Sequence, residues 1–257
     1  MTFKPLKIFA RILVFGLLLG ASSVAYADTV VITSVTVSNL AFNSATGTAV
    51  FTVTGASARA NASNSFGQTE DDVSTTLPFA EAGAAVPLAT AFASANLPAN
   101  SLTGISFAQL GACSCTGASF TISSLTGTLV ITGVQGPVDV TISGLMTLLR
   151  DVDTDQFGVL GESEVLFDVF VNGISVFQID SLIPLSGPNL RALVEASNQI
   201  SRTITLQGGV ENAITFRLST GAVAINEVPE PATVVLLVSG LGFMTGVIKK
   251  RRKKLDQ

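Results

Sequence analysis

Short runs of alternating residues recur along most of this chain, and they are what most constrains its fold. TVVITSVTV (29–37) and TAVFTVT (48–54) alternate Val, Ile or Phe with Thr or Ser, and residues 119–123, 128–132 and 138–142 repeat the pattern. A period of two puts successive side chains on opposite faces of a strand, and β-branched residues suit that pleat. Gly, Asn, Ser and Pro punctuate the runs. The plainest hairpin is EVLFDVFVNGISVFQID (164–180), in which Asn172-Gly173 predicts a type I′ turn. An unbroken ladder from that turn pairs Val171 with Ile174, Phe170 with Ser175, Val169 with Val176 and Phe167 with Gln178. Residues 201–206, 213–218 and 222–225 read as further strands, with turns at Gly208-Gly209 and Thr220-Gly221. Residues 188–198 (PNLRALVEASN) are the best helix candidate, with Pro188 at the start and Leu190, Leu193 and Val194 on one face. Residues 61–100, rich in Ala, Ser and Asn, read as long loops or Ala-rich strands, with some strand expected. The class is all-β, a β-sandwich that includes the jelly roll among its forms.

Composition narrows the function. Of 257 residues 47% are hydrophobic and 12% charged, enough apolar surface for a core. Between Asp28 and Glu230, 17 carboxylates stand against five arginines, a net charge of −12. That disfavours nucleic acid, whose phosphates need a basic face, and suits binding of cations. The chain has no His and no Trp, and its one Tyr is Tyr26. Without His there is no Ser-His-Asp arrangement and no His-ligated zinc. Acidic neighbours such as Glu70 with Asp71, or Glu162 with Glu164, are ordinary surface unless a cleft brings carboxyls together. The expectation is no enzyme.

The two ends differ in kind from the middle. Lys4, Lys7 and Arg11 precede an apolar stretch at 12–20, and Ala25-Tyr26-Ala27 is an A-x-A cleavage pattern. This reads as a secretory signal over 1–27, with the mature chain starting at Asp28. An exported domain is expected over 28–226. The last segment, 227–257, holds Val228, Pro229, Glu230 and Pro231, then an apolar run at 232–248, then Lys249, Lys250, Arg251, Arg252, Lys253 and Lys254. The apolar run spans about 25 Å as a helix, near the lower limit for crossing a bilayer. The basic cluster stays cytoplasmic by the positive-inside rule. A signal helix and a C-terminal transmembrane helix are therefore expected around the β domain.

This order of signal, exported domain, Val-Pro-Glu-Pro, short helix and basic cluster resembles the PEP-CTERM class of bacterial exported proteins. The resemblance covers the last thirty or so residues and the general layout. It implies an exosortase as partner, passage through the inner membrane with transient anchoring there, and delivery to the cell surface or extracellular matrix. It also implies a structural or adhesive role in exopolysaccharide or biofilm. The tail is what such proteins share, so it states no activity for the exported domain.

Two further features are candidate sites. DVDTDQFGVLGE (151–162) has the acidic spacing of an EF-hand-like calcium loop: Asp151, Asp153 and Asp155 at positions 1, 3 and 5, the Phe157 carbonyl at 7 and Glu162 at 12. Gln156 replaces the usual Gly at position 6, and strand-like flanks replace helices. Two readings stand: a calcium site on a β scaffold, which would serve a calcium-dependent carbohydrate-binding module, and a solvated acidic turn. Cys113-Ser114-Cys115 reads as a structural disulfide if a bend at Gly111 or Gly117 brings the pair together, with intermolecular bonding as the second option.

Overall fold

A computed structural model describes residues 29–97, 99–110, 115–154, 159–187 and 190–226. The expected signal, the whole sorting tail, Asp28, Cys113, Asp155, Phe157 and Pro188 lie outside the described residues. Within these, the chain is all-β. It forms β1 (Thr29–Ser44), β2 (Thr48–Asn64), β3 (Thr69–Ser74), β4 (Phe79–Val86), β5 (Ala89–Asn96) and β6 (Ser101–Leu110). There follow β7 (Thr116–Thr132), β8 (Gly136–Thr154), β9 (Val159–Val171), β10 (Ile174–Ser186), β11 (Leu190–Gly208) and β12 (Glu211–Asn226). Sheet A has the order β11-β8-β1-β6-β5-β4 and sheet B the order β10-β9-β12-β7-β2-β3. Every neighbouring pair is antiparallel. The sheets pack face to face, β1 on β12, β6 on β7, β5 on β2 and β8 on β9.

All the expected strands lie in strands, but several are longer than their local pattern. The runs at 213–218 and 222–225 are one strand, β12, so Thr220-Gly221 is not a turn. β12 is paired on both sides, with β7 and with β9, straight through those two residues. Two flanking ladders bond the backbone that a turn would have freed. Gly209, with φ of 76°, does turn the chain between β11 and β12.

The helix expected at 188–198 is also overturned: from Leu190 onward this segment is β11, paired residue for residue with β8 as far as Gly208. Helix propensity is a weak preference, and a nineteen-residue ladder outweighs it. The Asn172-Gly173 hairpin forms, with φ of 49° and 81° at its two turn residues. Its register differs, because a bulge at Val176 makes Phe177 the partner of Val169 and Ile179 that of Phe167. The extra residue lets Phe177 meet Phe167 edge-on at 6.3 Å between ring centroids.

The strand expected within 61–100 is there: this region holds the end of β2 and all of β3, β4 and β5. Alanines 56, 58, 60 and 62 of β2, 80, 82 and 84 of β4, and 89, 91, 93 and 95 of β5 are all buried. Alanine is a poor strand former on its own, so this register was faint in the sequence. Elsewhere the core is larger: Phe42, Phe51, Phe167 and Phe216 cluster with centroids 4.9 to 6.5 Å apart. Phe42 reaches that cluster because a bulge between Ser38 and Ala41, at Asn39 with φ of 55°, reverses the phase of β1.

Candidate functional site

The apolar core is not continuous. Val31, Ala108, Leu110, Cys115, Val152, Ala222 and Ala224 form a cluster separate from the main one. Between the two runs a buried polar belt, to which seven strands each bring a residue: Thr33, Ser106, Thr121, Arg150, Ser163, Ser181 and Thr220. Arg150 is 1% exposed. Its Nε donates to Ser163 Oγ at 2.8 Å, its Nη1 to Ser181 Oγ at 2.7 Å, and its Nη2 to the carbonyls of Ser163 and Ser181. Ser163 then gives its own hydrogen to Thr33 Oγ1 at 2.5 Å, and Thr33 donates to the Gly221 carbonyl at 2.9 Å. A second chain joins Ser106, Thr220 and Thr121 at 2.8 and 2.7 Å. Burial pushes the Arg150 pKa down and the charge of Glu164 pushes it back up. Ser181 is half-buried at the outer end of the belt, the other six are buried, and their mutual hydrogen bonds tie the two sheets together.

The sequence-predicted metal residues fall on two sheets. Asp151 and Asp153 belong to β8 of sheet A and Glu162 to β9 of sheet B. Arg150 and Ser163 point inward and meet, so the adjacent Asp151 and Glu162 point outward from opposite faces. Asp151 is held by Arg191 of β11, Nε to Oδ1 at 2.9 Å and Nη2 to Oδ2 at 2.6 Å. Asp155 and Phe157, between the two strands, lie outside the described residues. Among the described residues no group of three or more His, Cys, Asp or Glu stands ready to hold a metal. Cys115 is disulfide-bonded and buried, and Cys113, the one other cysteine of the chain, lies outside the described residues.

The sequence reads Glu70 and Asp71 of β3 as ordinary surface and gives Asp72 no role. Asp72 Oδ2 accepts from the Gly83 amide and Glu70 Oε2 from the Ala85 amide, both at 2.9 Å. Side chains of one edge strand thus bond the free backbone of the other sheet's edge strand, β4, and blunt it against pairing. Asp71, on the other face of β3, takes a two-pronged ion pair from Arg59 at 2.9 and 3.0 Å. That pair holds the Asp71 pKa below its ordinary value. Arg150 was legible in principle, since it shares the inward parity of Val138, Val140, Ile142 and Val152.

No family model matches the chain, and no curated protein matches it. Among solved structures it is similar to the secreted serine protease VesC from Vibrio cholerae, at 11% identity and a TM-score of 0.12. The alignment covers 82% of this chain and 52% of that one, so the chain spans about half the length of that protein. Likeness at this level carries no argument for fold or activity. Among the described residues no helix is long and apolar enough to cross a membrane.

Proposed function

We propose that this is an exported protein of the cell surface or extracellular matrix, delivered by an exosortase that reads Val228, Pro229, Glu230 and Pro231. In this reading its two sheets form a β-sandwich whose role is structural or adhesive within exopolysaccharide or biofilm, with no catalytic activity. What supports the reading is that the described strands all lie within 28–226, the segment expected to be exported. Its strands run from Thr29 to Asn226. The expected signal cleavage after Ala27 and the motif beginning at Val228 lie just outside those limits. Cutting at either expected point would leave every described strand intact, as processing of an exported domain requires. A hydrogen-bonded polar belt and a blunted β4 edge also suit a domain whose work is to persist outside the cell.

Replacing Pro229, Glu230 and Pro231 with alanine tests the sorting. Cell fractionation is expected to find the variant retained in the inner membrane, while the unaltered protein leaves it. Equal release of both would remove the exosortase from the account.

A further inference from the structure

Arg191, Leu193 and Glu195 stand in that order on the outer face of β11, the edge strand of sheet A. Their parity is fixed by β8, because Ala192 pairs with Val152 and Val194 with Arg150, and both partners are buried on the inner face. Leu193 is 52% exposed, and Leu149, which pairs with Glu195, is exposed beside it. Among the described residues no strand pairs with the far side of β11. Its free backbone groups are a template for another strand.

The two sides of the paired sheets are finished differently. On one side the acids of β3 bond the amides of β4, and Ala80, Ala82 and Ala84 are buried. On the other side the inward residues Ile179 and Ile183 of β10, and Ala192, Val194 and Ala196 of β11, are only half-buried. Residues 191–196 hold no Pro, their ladder with β8 has no bulge, and their two charges are of opposite sign. The devices that blunt an edge are thus missing from this stretch.

We propose that residues 191–195 of β11 pair antiparallel with the same residues of a second copy of this chain, about a twofold axis through Leu193. Antiparallel pairing inverts the order of a strand. The charge complement of Arg-x-Leu-x-Glu is therefore Arg-x-Leu-x-Glu again, which is what a second copy brings. In this register Leu193 faces Leu193, and Arg191 faces Glu195 of the second copy, twice by symmetry. Arg191 holds Asp151 with Nε and Nη2, which leaves Nη1 for the second carboxylate. Leu182 of β10, 51% exposed on the outer face of sheet B, lies at the same level, since Arg150, the partner of Val194, donates to the adjacent Ser181. β10 carries Pro184, which has no amide hydrogen to give, so it adds apolar contact while β11 does the pairing. The paired stretch is short beside a permanent interface, so association depends on concentration.

The test is sedimentation velocity of the full chain in density-matched detergent micelles over a range of concentrations, with hydrogen exchange as the local readout. The dimer fraction is expected to rise with concentration, and exchange at the amides of 190–196 to slow as it does. Glu195→Arg sets arginine against arginine, and Arg191→Glu sets glutamate against glutamate. Each alone is expected to weaken association roughly tenfold or more. Mixing the two variants restores both opposite-charge pairs, and a mixed dimer is expected. Leu193→Lys, which sets two lysines face to face at the axis, serves if Arg191→Glu does not fold, and an unchanged melting temperature certifies each variant. A full chain that stays monomeric overturns the proposal. So does a dimer that survives the single reversals, as one held by the apolar run at 232–248 would. A mixture that stays monomeric overturns the register and the proposal with it.

Discussion

Arg150 and Asp168 are both buried charges, and the fold treats them oppositely. Arg150 spends its guanidinium hydrogens on two hydroxyls and two carbonyls. Among the described residues Asp168 has the facing Arg217 for compensation, and the two close no ion pair. Burial raises the Asp168 pKa above its ordinary 3.8; Arg217 pulls it down and Asp180 pushes it up, and burial wins. A carboxyl raised in the folded state favours folding in its protonated form. That contribution is present below about pH 3.8 and is lost as pH rises through the higher folded value. At pH 7 the ionised group therefore costs stability. Asp168→Asn is expected to raise the melting temperature by about 1–3 °C at pH 7, the shift that under about 1 kcal/mol gives in a domain of this size. At pH 3 the gain should vanish, and scanning calorimetry at both values checks it. Nothing in the run FDVFV told that Asp168 would be enclosed on an outer face, because the enclosure comes from neighbours on other strands.

At the scale of elements, the alanine strands show what alternation can and cannot carry. In β5 the pattern ATAFASAN already has period two, yet alanine serves helix, loop and strand alike. What makes it a strand is burial of Ala89, Ala91, Ala93 and Ala95 against β2 and its neighbours. Such a layer has no room for larger side chains. Ala93→Val, at a position fully buried in β5, is expected to destabilise by about 1–3 kcal/mol despite valine's better strand propensity. Denaturant titration checks it, and a neutral or stabilising result would mean that the sheets can part there. The opposite lesson comes from β11, where a helix-like spacing of Leu190, Leu193 and Val194 gives way to pairing with β8. The hairpin at Asn172-Gly173 was legible because both turn residues need positive φ. The bulge at Val176 was not, because it answers to the packing of Phe177 on Phe167.

For the whole molecule, the first and last described strands are both central. β1 lies between β8 and β6 in sheet A, and β12 between β9 and β7 in sheet B. Neither sheet can close until strands far apart in the chain have met, and that topology makes folding slow. Deleting residues 211–226 removes the middle of sheet B, Thr220 of the polar belt and the Gly221 carbonyl that accepts from Thr33. The shortened chain is expected to lose its cooperative melting transition, and a retained one by calorimetry would show that sheet B repairs itself around the gap. The sequence by itself determined the all-β class, the location of most strands, the I′ turn, and the contrast between an acidic middle and apolar, basic ends. Those follow from local periods, from residues with one permitted φ, and from composition, which need no partner. Only the tertiary structure decided the length and register of β7, β11 and β12, the strand identity of 61–100, and the separation of Asp151 from Glu162. It also decided the belt around Arg150 and the burial of Ser219 and Gly221 in β12. Each of these depends on which distant strand lies alongside, and a ladder bonds backbone groups that are the same in every residue, so the pairing is settled by the burial of whole faces.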